Sequence, residues 1–187
     1  MTIPEERIFA LTERLDVRGP RYTSYPTAPV WQPGFPVEPY REALARVGAA
    51  GRPLAVYMHF PFCRQRCYYC GCNSFICSDA DRMDAYTAAM IREIREATDV
   101  LGEGARHAWL HLGGGTPTHT PADELARVLD FFIERMPGTA DCERSVEVDP
   151  RVTTDGHLKL LADRGFRRIS MGVQDLHAEV QRAGNRE

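Results

Sequence analysis

Lysine is nearly missing from these 187 residues: Lys159 stands alone beside 22 arginines. Charge is close to balance, 23 basic against 26 acidic residues for a net −3, and no run of like charge occurs. That excludes a polybasic nucleic-acid footprint and an acidic tail. Long apolar runs are lacking too; the longest are far short of a membrane span. The opening MTIPEERIFALTERL mixes charge into its apolar positions and lacks the basic, apolar, small-residue succession of a signal peptide. The expectation is a cytoplasmic protein in a reducing compartment, with no nucleic-acid partner and no membrane span.

What is present is a crowd of thiols. Of six cysteines, four fall between Cys63 and Cys72, Cys77 follows closely and Cys142 stands apart. A small secreted disulfide framework spreads its cysteines, whereas clustered thiols in a reducing compartment point to metal or redox chemistry.

The chain has room for one domain with a real core. Pro20, Pro26, Pro29, Pro33, Pro36 and Pro39 argue for an extended arm, not a packed element. Its rings Tyr22, Tyr25, Trp31 and Phe35 are costly to leave in water, so the arm is expected to lie on something. A short apolar-periodic stretch follows at 40–47. From Leu54 the pattern changes. LAVYMHF (54–60) is a continuous apolar run, which suits a strand buried on both faces. Met83, Tyr86, Met90, Ile94, Ala97 and Leu101 form one face of a helix that Ser78 and Asp81 can cap and Gly102 can stop. HAWLHL (107–112) reads as a strand. Thr120-Pro121 opens a helix with Leu125, Val128, Leu129, Phe132 and Met136 on one face and Pro137-Gly138 as terminator. SVEVD (145–149) is a third strand, 154–164 a short helix, and RRISMGV (167–173) a fourth strand.

Strand and helix alternate in units of roughly 30 residues, the pattern of βαβ repetition with a parallel sheet. A closed eight-fold barrel takes about 250 residues. The fold predicted is therefore α/β, the N-terminal part of a partial (β/α) TIM-like barrel. It has about four parallel strands with crossover helices, an open last edge, and an irregular N-terminal arm in front. The division expected is 1–52 for the arm and short helix and 53–187 for the barrel core.

The unusual segments all fall at the carboxyl ends of those strands, where barrel sites are built. The cysteine loop follows the first strand, GGGTPT the second, Glu147 and Asp149 close the third, and Gln174-Asp175 the fourth. PFCRQRCYYCGCN spaces its cysteines C-x3-C-x2-C. Four thiolates could hold zinc, but structural zinc usually takes two separated ligand pairs, and no second C-x2-C follows. Three thiolates can instead hold three irons of a [4Fe–4S] cluster and leave the fourth open. The six histidines show no ligand spacing and read as packed or solvated. The glycines at 113–115 admit close backbone approach.

The C-x3-C-x2-C loop after the first strand, with Tyr69 before the last cysteine, resembles the radical S-adenosylmethionine (SAM) enzymes. RYTSYPTA (21–28), HFPFC, CYYCGCN, HLGGGTPT, EVDPR and RRISMGVQD together resemble the oxygen-independent coproporphyrinogen III oxidase (coproporphyrinogen dehydrogenase) family, and the chain looks like its N-terminal portion. A related haem-chaperone family has Asp-Phe where this chain has Gly71-Cys72.

The resemblance implies that Cys63, Cys67 and Cys70 hold a [4Fe–4S] cluster, with the amine and carboxylate of one S-adenosylmethionine on the fourth iron. Tyr57, Tyr69, Gly114, Gly115, Thr116 and Glu147 match cofactor contacts, Glu147 accepting from the ribose diol. Gln174 and Arg186 match contacts to a second S-adenosylmethionine, where Arg186 would offer a fork to its carboxylate. Cys72 is the candidate catalytic side chain outside the ligand set; roles for Cys77 and Cys142 are not implied. The implied enzyme is an oxidoreductase of porphyrin and haem biosynthesis. A 5′-deoxyadenosyl radical takes hydrogen from a propionate β-carbon, carbon dioxide leaves, and two vinyl groups result, giving protoporphyrinogen IX from coproporphyrinogen III. A flavodoxin-type electron donor and a monomer are expected, and residues 21–25 are expected to cover the porphyrinogen. The alternative is a haem chaperone or cluster-bearing binding protein without oxidase activity.

Overall fold

The computed structural model describes residues 5–16, 27 and 30–187. They fall into two units that part between Val37 and Glu38. In the first, α1 spans Glu5–Leu15. Trp31 and Phe35 are exposed; Tyr22 and Tyr25 lie outside the described residues. No helix among the described residues is long and apolar enough to cross a membrane.

After α2 (Val37–Ala49), the second unit runs β1 (Leu54–Phe60), β2 (Phe62–Cys63), β3 (Phe75–Ile76), α3 (Ala80–Leu101), β4 (His107–Gly114), a 3-10 turn (Pro117–His119), α4 (Ala122–Arg135), β5 (Gly138–Val148), α5 (Asp155–Asp163), β6 (Arg168–Met171) and α6 (Ala178–Ala183). β1, β4, β5 and β6 form one parallel sheet in that order, with α3, α4 and α5 as the connections. This is the α/β architecture of a partial barrel, and each of the four predicted strands is present. A parallel pair β2–β3 brackets the cysteine loop.

The sheet has two unlike faces because side chains alternate along a strand. One carries Met58, Phe60, Leu110, Leu112, Val146 and Val148, all buried, against Leu125, Val128, Leu129 and Phe132 of α4 and Leu161 of α5. The other carries polar side chains in register: Tyr57 pairs with His111, His111 with Ser145, and Ser145 with Arg168. β1 is therefore not buried on both faces as its apolar run suggested. It is an edge strand, and Tyr57 on its open side is 55% exposed.

Local chemistry accounts for the element ends. Asp79, not Ser78, caps α3, accepting from the backbone N–H of Asp81 and Arg82 at 3.0 and 3.2 Å. Gly102 follows α3 at φ +86°. Thr154 caps α5 in a reciprocal pairing with His157, an imidazole in place of the usual Glu or Gln. β5 begins at Gly138, seven residues ahead of the predicted SVEVD strand. GTADCER carries no strand-like alternation, and the ladder to β4 extends it: Trp109 pairs with Glu143 and Leu110 with Arg144.

Candidate functional site

The carboxyl ends of the four strands and the cysteine loop enclose a cleft of about 270 Å³. Cys63, Cys67, Cys70, Cys72, Tyr69, Gly114, Gly115, Thr116, Glu147, Gln174 and Arg186 all line it, as do Asp149, Ser170 and Gly172. Cys63 ends β2, and its sulfur lies 3.4 Å from the Thr116 hydroxyl. Cys67 and Cys70 are the two ends of a tight turn closed by Cys70 N–H donating to the Cys67 carbonyl at 3.0 Å. Burial pushes the Cys63 thiol up, and the neighbouring Cys70 and Cys67 add to this, against the Thr116 hydrogen bond. Cys72 is exposed; its thiol is pushed up too, by burial and then by Cys70.

Gly113, Gly114 and Gly115 are bare because this chain's own atoms take the space. A Cβ on Gly115 would stand 2.7 Å from the Pro61 carbonyl oxygen and 2.9 Å from the Cys63 sulfur. On Gly114, which sits at φ +118°, it would meet the Phe60 carbonyl oxygen at 2.8 Å. On Gly113 it would meet the Tyr57 ring at 2.9 Å and Glu147 Oε2 at 3.1 Å. The triplet lets the β4 end pack under the cysteine loop, a requirement the sequence pattern alone attributed to ligand approach.

Tyr57 is set apart from the cleft lining, yet it and Glu147 flank the same glycine. Its hydroxyl lies 3.0 Å from His59 Nδ1, and its ring stacks on His111 at 5.9 Å between centroids. Burial raises the Tyr57 phenol, and the Glu147 carboxylate and Cys72 raise it further. His111 Nδ1 lies 2.8 Å from the Ser145 hydroxyl and Nε2 3.5 Å from Glu147 Oε1. An Nε2–H tautomer satisfies both, donating to Glu147 and accepting from Ser145. The histidines read as merely packed or solvated thus include one that touches a predicted site carboxylate. Its signal was its position, two residues before the glycines and level with Tyr57.

The largest surprise is at the other wall. Arg186 is 13% exposed in its side chain and donates from Nη1 to Asp149 Oδ2 at 2.8 Å. Its Nε and Nη2 both reach the Gly172 carbonyl, at 3.1 and 2.6 Å. Arg151 grips the same carboxylate from the other side, Nε to Oδ1 at 3.0 Å and Nη2 to Oδ2 at 2.6 Å. Burial alone would raise the Asp149 carboxyl, but the bonds from Arg151 and the two guanidinium charges outweigh it and hold it below its ordinary range. Asp149 and Arg151 sit in EVDPR, where an acid at a strand end with an arginine two residues on was the available signal.

The donor set fits an iron–sulfur cluster. Four thiols, those of Cys63, Cys67, Cys70 and Cys72, line one cavity, and among the described residues no three His, Cys, Asp or Glu side chains are placed to hold a single metal ion. A mononuclear zinc site draws its sulfurs to about 2.3 Å from one centre. A cubane takes each thiolate on its own iron, so its ligands stand apart.

A family profile described as the radical SAM superfamily matches residues 57–187. The oxygen-independent coproporphyrinogen III oxidase of Salmonella typhimurium is 41% identical over 179 residues, covering 95% of this chain and 38% of that protein. Its namesake in Escherichia coli K12 is 41% identical over 178 residues with the same coverage, and that of Pseudomonas aeruginosa 39% identical over 178 residues, covering 94% and 39%. The solved structure of the Escherichia coli coproporphyrinogen III oxidase, titled a radical SAM enzyme, superimposes with a TM-score of 0.81 at 39% identity. It covers 96% of this chain and 39% of that one. The chain therefore spans about two fifths of the length of the relatives it matches.

Proposed function

The chain belongs to the radical SAM superfamily, and on that premise we propose that it provides the cluster- and cofactor-binding part of an oxygen-independent coproporphyrinogen III oxidase. Coproporphyrinogen III is then the substrate, two propionates becoming vinyl groups with loss of carbon dioxide. The observation that carries this reading is the cleft itself: Cys63, Cys67 and Cys70 line it together with Glu147 on β5 and Gln174 just past β6.

When bound, the cluster and S-adenosylmethionine supply a one-electron cleavage of the sulfonium, and so a carbon radical able to take hydrogen from substrate. The chain's residues bind, orient and exclude water. Cys63, Cys67 and Cys70 would hold three irons, with Gly115 and Thr116 packed against Cys63, and Glu147, beside His111, would accept from the ribose hydroxyls. Tyr57 and Tyr69 offer rings to the adenosine, and Gln174 a polar contact for a second cofactor molecule. Cys72, exposed at the rim, is free of the ligand set and available to substrate. A flavodoxin-type protein is the donor this chemistry calls for, and the cytoplasm its place.

Anaerobic reconstitution of the 187-residue chain with iron and sulfide tests the reading. The expected result is four irons per chain, a brown chromophore, and 5′-deoxyadenosine on addition of dithionite and S-adenosylmethionine. Serine at Cys63, Cys67 or Cys70 should abolish both cluster and cleavage. Wild-type protein without iron, or serine variants that retain it, would overturn the reading.

A further inference from the structure

We propose that Arg186 is a charge-assisted hydrogen-bond donor to Cys67 that sets how readily the cluster accepts an electron, and that Asp149 is the positioning residue that holds it there. The inference rests on the cluster reading above. It differs from the expectation that Arg186 offers an open fork to a ligand carboxylate.

The fork is already committed inside the chain. Nε and Nη2 are spent on the Gly172 carbonyl and Nη1 on Asp149. The same Nη1 lies 3.6 Å from the Cys67 sulfur, hydrogen-bond distance for an atom of that size. Cys63, by contrast, has a neutral hydroxyl, that of Thr116, as its partner. Arg151 completes a triad of two cations on one anion, so a net positive charge is held beside Cys67. With Arg186 and Asp149 only 13% and 9% exposed in their side chains, the guanidinium charge is screened less than it would be at an open surface.

Both partners are built into one frame. Tyr68 N–H donates to the Gly184 carbonyl at 3.1 Å, Asn185 Nδ2 to the Arg66 carbonyl at 2.7 Å, and Gln65 Nε2 to the Asn185 carbonyl at 3.3 Å. These bonds lock the backbone of 184–186 to the loop that carries Cys67, and the Gly172 carbonyl and the Asp149 carboxylate then fix where the guanidinium itself lies.

The step concerned is the transfer of one electron from a low-potential reductant to the thiolate-ligated cluster, which gains one negative charge and loses no ligand. A donor hydrogen bond and a fixed cation at one sulfur favour the more negative state and raise the potential. Removing the arginine lowers it. Asp149 opposes that field by its own charge but fixes the arginine. An uncompensated, partly buried guanidinium swings toward water when its carboxylate is lost.

The test is a redox titration, with no S-adenosylmethionine present, of reconstituted wild type, Arg186→Gln, Arg186→Lys and Asp149→Asn. The reduced cluster is followed by its paramagnetic signal, and iron per chain is measured beside it. The expected result is undiminished iron, a midpoint shifted to more negative potential in Arg186→Gln, and an intermediate shift in Arg186→Lys, which keeps the charge without the fork. Asp149→Asn should shift the same way, although deleting a negative charge alone would raise the midpoint. Unchanged midpoints in both Arg186 variants, or loss of iron from both, would overturn the role given to Arg186. A rise in Asp149→Asn would overturn the positioning role. Wild type that takes up no iron fails the cluster reading instead, a separate result.

Discussion

At the scale of single residues, the glycines give the sharpest test of how the site is packed. Gly115→Ala puts a methyl group 2.7 Å from a backbone carbonyl and 2.9 Å from the Cys63 sulfur, and the carbonyl cannot swing aside as a side-chain end would. Overpacking of this kind costs about 1–3 kcal/mol. Here it also displaces a thiol, so iron bound per chain after reconstitution should fall. Gly71→Ala, in the cysteine loop between β2 and β3, meets no atom within 4 Å and should leave both stability and iron content unchanged. Equal iron in both variants would refute the packing account. Sequence patterning located these positions without giving their reasons. Strand-end placement brought the three thiols, Glu147 and Gln174 to one site, the family resemblance added Arg186, and one cleft holds them all. Asp149 stood at a strand end in the EVDPR motif, where its residue type allows a hydrogen bond within the loop and points to no catalytic part. Only the fold shows that it is buried between two guanidiniums.

Secondary-structure elements were legible where one face is apolar and blurred where pairing decides. α4 was readable from Leu125, Val128, Leu129 and Phe132, and all four are buried. Leu129→Ala empties a site with no exposed surface. It should cost about 2–5 kcal/mol, read as a lower denaturation midpoint with an unchanged denaturant slope. A loss below about 0.5 kcal/mol, the range of surface changes, would show the helix is not packed as described. The early part of β5 was hidden because its residues 138–144 are mostly polar, and a ladder is made by backbone groups that leave no trace in side-chain type. In β6 the apolar Ile169 and Met171 sit on the outer strand of the sheet and are about half exposed. Neighbours decide burial, and a run of letters cannot show which neighbours are present.

At the scale of the whole molecule, His107 ties two strands to the ends of two helices, at the end of the sheet opposite the cleft. It is fully buried at the start of β4. Its Nδ1–H donates to the Met136 carbonyl at the end of α4 at 2.7 Å, and its Nε2 accepts from Arg144 Nε of β5 at 3.1 Å. Arg144 passes the connection on to the Arg164 carbonyl at the end of α5. This network needs neutral imidazole, because a second ring N–H would face Arg144. Burial accordingly pushes His107 below its ordinary 6.5, and the Arg144 charge adds to this, against the bond to Met136. The unfolded chain therefore binds a proton at pH values where the folded protein does not, and folding stability rises with pH across that window. Stability should be level above the ordinary histidine value and decline as pH falls below it. Urea denaturation at pH 7 and pH 5 measures the decline. In His107→Gln, whose amide can still donate to Met136 and accept from Arg144, the protein should be weaker at pH 7 yet lose less on going to pH 5. The same decline in wild type and variant would show that the acid sensitivity lies elsewhere in the fold.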